Sequence, residues 1–201
     1  MTIRDDVTAY ARTLVGLFAD PDDELTRQVY SDLIAPGETP QRRKEMMCNS
    51  GCALTVRGIW RRFILHPILE APYRSGDAMS DLCAIARAAG AIRMPGSIPS
   101  PGDAVIVGGG TDGGGTEHVW THIQTDWAGY DGRVLDLGLD GGQRHPTAKG
   151  SDGKGAEMIA LRDHDLRDGW DTENGTRRKV QAVLDIELIF KQFGRVATSA
   201  Q

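Results

Sequence analysis

Cys52 stands where a helical pattern begins, in Asn49-Ser50-Gly51-Cys52-Ala53-Leu54-Thr55-Val56-Arg57-Gly58-Ile59-Trp60. His118 opens a strand pattern, in Glu117-His118-Val119-Trp120-Thr121-His122-Ile123. The start of a helix carries partial positive charge, which favours a thiolate. A strand holds an imidazole rigidly, and a thiolate beside a proton-carrying base is what nucleophilic catalysis by cysteine requires. Backbone N–H groups of a first helical turn lack intrahelical acceptors. They lower a thiol pKa from roughly 8.5 by about a unit or more, and they can donate to an oxyanion forming on an attacked carbonyl. Gly51 permits a close approach of backbone and substrate. The chemistry these residues suit is that of a cysteine hydrolase.

Each residue also has a plainer reading. Free cysteine is often buried and inert, and Cys83, within Leu82-Cys83-Ala84-Ile85-Ala86, reads as core. Cys48 is a rival nucleophile, about a turn before the helix start. On a strand His118, Trp120 and His122 share one face, and Val119, Thr121 and Ile123 share the other. The second set suits a core. The first would line a groove, with Trp120 as a substrate wall and His122 behind the site. The glycine-rich run from Gly108 to Gly115 lacks the Gly-Lys-Ser/Thr ending of a phosphate loop and reads as a hairpin or groove edge. A zinc site from Cys48, Cys52, His118 and His122 lacks a second cysteine pair. Neither a metal nor an organic cofactor is expected. Arg57, Arg61 and Arg62 read as a solvated helix face.

The chain of 201 residues suits one domain over 1–201, with a helical N-terminal extension over 1–45 and a core from about 46 to 195. A net charge of -5 argues against nucleic acid as a partner, and Gln41-Arg42-Arg43-Lys44 reads as solvated surface. No apolar run reaches the roughly 18 residues of a membrane span, so no membrane partner is expected. Met1-Thr2-Ile3-Arg4-Asp5-Asp6 has no secretory character. Three cysteines, an odd number, do not suggest a disulfide framework. The default location is therefore cytoplasmic, with signal-independent export or release by lysis left open.

The first half reads as helix. Val7, Tyr10, Ala11, Leu14, Val15 and Phe18 recur at helical spacing, and a second helix is expected over Asp22 to Leu33. Pro36 to Pro40 is a loop. The Cys52 helix turns Val56, Ile59, Trp60 and Phe63 inward and ends at Pro67. Asp77 caps a further helix to Ala89, closed by Gly90. Strands are expected over Asp103–Val107, Glu117–Thr125, Arg133–Leu137, Glu157–Arg162 and Lys179–Leu184, and Asp185 caps a last helix to Phe193. Helices first and strands second predict an α+β domain, a helical layer on a mostly antiparallel sheet of about five strands.

The order of a helix-opening Cys52, then Pro101-Gly102-Asp103-Ala104-Val105-Ile106-Val107, then Glu117-His118-Val119, then a strand with a polar residue, resembles the NlpC-like cell-wall peptidases and the related CHAP amidases. It covers roughly residues 50 to 143. The resemblance implies a papain-like fold and cleavage of amide bonds in bacterial peptidoglycan, with a peptide or peptidoglycan fragment as substrate. It implies Cys52 as nucleophile, His118 as base, and a polar residue on the next strand to orient the imidazole. That strand leads into Leu137-Gly138-Leu139-Asp140-Gly141-Gly142-Gln143, where Asp140 is the first choice, Gln143 the second and Asp136 the third. Three features depart from the pattern: Gly51 precedes the cysteine where an Asp-Cys-Ser-Gly signature is common, the loop before His118 is long, and the first 45 or so residues have no counterpart. The alternatives are a papain-fold acyltransferase or protease with another substrate, and a binding module in which Cys52 is inert.

Overall fold

Seven strands carry the described part of the chain: β1 (Ile92–Arg93), β2 (Ala104–Gly110), β3 (His118–Ala128), β4 (Arg133–Lys149), β5 (Gly155–Arg167), β6 (Trp170–Glu173) and β7 (Thr176–Leu184). The structure, a computed structural model, describes residues 2–18, 30, 32–33, 39, 51–71, 78–110, 117–129, 133–149, 155–173 and 176–195. Every pairing is antiparallel, in the order β1-β7-β2-β3-β4-β5-β6. β6 returns to pair with β7, from Trp170↔Lys179 to Glu173↔Thr176. Six strands thus close into a barrel, and β1 is an extra strand on the later part of β7, with Ile92 opposite Leu184. Closure satisfies the edges that an open sheet would leave unpaired.

This corrects the expected architecture. The fold is mostly sheet, a closed six-stranded antiparallel barrel with one added strand, and not a papain-like α+β layer of helices on about five strands. The missing signals have a physical cause. Along β4, Leu135, Leu137 and Leu139 alternate with Asp136, Gly138 and Asp140, but the polar set is fully buried, as are His164 of β5 and Asp171 of β6, so the alternation points to the wrong face. β4 continues to Lys149, through the Asp140-Gly141-Gly142 stretch that reads as a turn, with an irregularity of register between Asp140 and Gln143. β6 follows β5 through a two-residue hairpin at Asp168-Gly169, with φ of 52° and 77°. Both values are positive, as a type I′ turn demands, and an Asp-Gly pair is its sequence mark.

The described helices are α1 (Ile3–Thr13), α2 (Gly51–Phe63), α3 (Pro67–Glu70), α4 (Ala78–Ala88) and α5 (Ile186–Phe193). Thr2 and Asp5 form a capping box on α1, which stops at Thr13, short of the expected Phe18. The Cys52 helix ends at Phe63, and Pro67 opens α3 instead of ending α2. Asp185 caps α5 as expected, accepting from the Glu187 and Leu188 amides. Of the expected helix over Asp22 to Leu33, Tyr30, Asp32 and Leu33 are helical and the rest lies outside the described residues. Cys48, the Gln41–Lys44 stretch, Asp77 and positions 111–116 also lie outside them, as does the 36–40 loop apart from Thr39.

Two buried clusters result. One joins Val56, Ile59 and Trp60 of α2 to Ala104, Ile106, Val119 and Ile123 of the sheet. The other, inside the barrel, holds Val105, Val107, Trp120, Val134, Leu166 and Val180. Alternate residues of β2 and β3 therefore serve opposite cores, which seats α2 against the outside of the barrel while its first turn reaches the rim. Arg57, expected on a solvated face, is instead buried and donates to the Ile68 and Ala71 carbonyls at 2.6 and 2.9 Å, tying α3 to α2. Arg61 is half-buried, and Arg62 lies over the Tyr10 ring.

Asp103, in the Pro-Gly-Asp turn before β2, joins both chain ends to the barrel. Its carboxylate accepts from Arg4 at 2.7 Å, from Arg93, and from the amides of Ser100 and Ile186 at 2.8 and 3.1 Å. It is fully buried. Replacing one partner of a buried pair strands the others, so Asp103→Ala is expected to cost about 3–5 kcal/mol. Urea denaturation should show this as a lower midpoint at unchanged slope.

Candidate active site

The first turn of α2 brings Cys52 to the start of β3. Gly51 allows this: a Cβ there would lie 2.6 Å from Gly142 Cα and 2.9 Å from Glu157 Oε2. Gly141 is as tightly held, since a Cβ on it would strike Thr55 Oγ1 and the Gly51 carbonyl. The glycines on both sides thus serve the contact of helix against strand. The sequence reading assigned Gly51 to substrate approach instead. Gly142 has φ of +72°, and a Cβ on it would lie 3.3 Å from the Cys52 amide nitrogen. Only glycine leaves that nitrogen uncrowded.

Three of the expected residues meet here. Cys52 and His118 are side-chain neighbours, and each shifts the other's titration. His118 Nε2 hydrogen-bonds to Asp140 Oδ1, which leaves Nδ1 to serve the sulfur. The His118 side chain is 12% exposed and Asp140 is not exposed at all, so the triad opens at the cysteine end and is sealed at the carboxylate. The other candidates for the third position are engaged elsewhere. Gln143 accepts from Arg162, and Asp136 is bound to His122 Nδ1 and to the Trp120 indole. Cys83 packs against the helix-side core.

The charges follow from this geometry. Burial pushes the Cys52 thiol up, but His118 and the Val119 and Ala53 amides overcome it, and the net shift is downward. Burial pushes His118 down, while Asp140 and Cys52 raise it to about 9. Burial also disfavours the Asp140 carboxylate, yet His118 and His164 hold it well below the usual carboxylate range. A lowered thiol and a raised imidazole both favour the thiolate–imidazolium form of the pair over the neutral one.

His122 is fully buried. So is Trp120, which is therefore not the substrate wall expected of it. Its ring stacks on His164 with centroids 3.7 Å apart and planes 2° from parallel. His164 Nε2 donates to Asp140 Oδ2 at 3.0 Å. Neither His164 nor Asp171 was singled out from sequence. The Asp-Gly hairpin was the available signal, because it pairs β5 with β6 and so brings Asp165 opposite Thr172 beside them. Gly138 makes room for the stack, since a Cβ there would press on Trp120 Cδ1 and come within 2.8 Å of His164 Cδ2. Overpacking of this kind costs about 1–3 kcal/mol. Gly138→Ala should therefore melt several degrees lower in a thermal unfolding scan.

Among the described residues no group of three or more His, Cys, Asp and Glu is arranged to hold a metal ion, and no helix is long and apolar enough to cross a membrane. No family model matches the chain, and neither a curated protein nor a solved structure shows significant similarity to it.

Proposed function

We propose that this protein is a cysteine-dependent amide hydrolase, with Cys52 as nucleophile, His118 as general base and acid, and Asp140 as the group that orients His118. The observation that carries this reading is a half-buried thiol beside a rim histidine that is itself hydrogen-bonded to a fully buried carboxylate. The Cys52 thiolate attacks the carbonyl carbon of an amide, and the carbonyl π pair moves to oxygen. The Cys52 backbone N–H, kept uncrowded by Gly142, donates to that oxyanion. The tetrahedral intermediate collapses, the C–N bond breaks, and His118 gives its proton to the leaving amine. Water then adds to the thioester while His118 takes its proton, and the carboxylic acid leaves as the thiolate is restored.

Peptides of bacterial peptidoglycan are the proposed substrates. Support comes only from the order of Cys52, the Pro101-Gly102-Asp103 strand and His118, which resembles that of NlpC-like and CHAP enzymes, whereas the closed barrel is not the papain-like fold that this resemblance implies. The test is incubation with a peptidoglycan digest, with mass spectrometry following new amine and carboxyl termini. Wild-type protein should generate them, and Cys52→Ala should not. No cleavage by a protein whose Cys52 alkylates readily would move the substrate elsewhere. No cleavage and an unreactive Cys52 would favour a binding module.

A further inference from the structure

Both ring nitrogens of His164 face carboxylates. Nε2 is 3.0 Å from Asp140 Oδ2, and Nδ1 is 3.4 Å from Asp171 Oδ1. The second contact is long for a hydrogen bond but is an ion-pair distance. A carboxylate only accepts, and a neutral imidazole would turn a lone pair toward one of them. Only the ring protonated on both nitrogens suits both neighbours. His164, Asp140 and Asp171 are all fully buried, so bulk water cannot take the place of either partner. Asp171 Oδ2 accepts from Arg178 at 2.9 Å. From Cys52 on α2 to Arg178 on β7 the polar groups run thiol, imidazole, carboxylate, imidazole, carboxylate, guanidinium.

We propose that His164 is a permanently protonated positioning residue, which holds Asp140 toward His118 and limits how tightly that carboxylate retains the His118 proton. This rests on the hydrolase reading of Cys52, His118 and Asp140. Asp140 divides its two oxygens between two histidines, Oδ1 to His118 and Oδ2 to His164. A carboxylate serving one imidazolium alone would make it a weaker acid toward the leaving amine. The second cation offsets part of that attraction. Burial opposes charge on His164, but Asp140 and Asp171 raise it to about 10, in keeping with the geometry. The groups facing the ring among the described residues are Asp140 from β4, Asp171 from β6 and the Trp120 indole from β3, with Arg178 of β7 beyond Asp171. Asp136, its register partner on β4, is occupied by His122 and Trp120.

The test is a pH titration of imidazole nitrogens by ¹⁵N NMR on the full chain. In the wild type His164 should carry protons on both nitrogens from about pH 5 through the neutral range. His164→Gln keeps an amide donor toward Asp140 and removes the charge. The His118 midpoint should then rise by about one unit, and the limb of the hydrolysis profile that reports His118 should move with it. Asp171→Asn removes the carboxylate that demands the second proton and should bring the His164 titration down toward neutral pH. It also carries the test if His164→Gln does not fold. A neutral His164 in the wild type, or an unmoved His118 midpoint in His164→Gln, overturns the proposal. If instead both NMR results hold and Cys52 proves unreactive, the hydrolase reading fails and takes the catalytic role of His164 with it.

Discussion

Cys52→Ala and His118→Ala are each expected to lower the proposed amide hydrolysis by about 10³-fold or more, with the circular dichroism of the barrel retained. The size of the effect follows from what is lost. Without sulfur there is no thioester. Without the imidazole there is neither an acceptor for the thiol proton nor a donor for the leaving amine. The two residues act as one unit, so the double variant should be little worse than either single one. Retention of the fold is expected because both side chains lie at the rim: Cys52 is half-buried, and His118 keeps some exposure. Cys83→Ala separates chemistry from packing. It trims a residue that packs against the helix-side core, so it should lower the melting temperature and leave turnover within a few-fold of wild type.

Asp140→Asn is expected to reduce turnover by about 10²–10⁴-fold while Gln143→Ala changes it little. An asparagine can meet His118 with either its oxygen or its amide group, so the ring loses its fixed tautomer. The charge that raises His118 to about 9 is also gone. The imidazolium midpoint then falls, the ion pair with Cys52 weakens, and the thiolate fraction at neutral pH drops. Gln143 has no part in this, because its side-chain oxygen accepts from Arg162. Steady-state rates for the two variants on one substrate check the contrast. Equal losses in both would place the orienting role outside Asp140.

The grouping of Cys52, His118 and Asp140 was more legible in the sequence than the fold was. Cys52, His118 and Asp140 carry distinct chemistry, and their settings do not depend on how many strands close around them. The Asp185 cap and the inward face of the Cys52 helix were readable because capping and helical period act over a few residues. The barrel was hidden because its interior is partly ionic. On β4, Leu135, Leu137 and Leu139 alternate with Asp136, Gly138 and Asp140, yet the polar set faces inward, and β5 and β6 bury His164 and Asp171 in the same way. Trp120 and Arg57 were misplaced for a related reason. Whether a polar or amphipathic side chain is buried depends on partners far away in the chain, here His164 for the indole and the Ile68 and Ala71 carbonyls for the guanidinium.

The rate of iodoacetamide alkylation at Cys52 against pH, with its peptide resolved from those of Cys48 and Cys83 by mass spectrometry, tests the thiolate–imidazolium pair most directly. Cys52 should react well below pH 8, with a midpoint beneath that of an ordinary thiol, because His118 and two backbone amides stabilise its thiolate. In His118→Ala that midpoint should move upward. A single midpoint near the ordinary thiol value of about 8.5, unchanged by His118→Ala, would contradict the account.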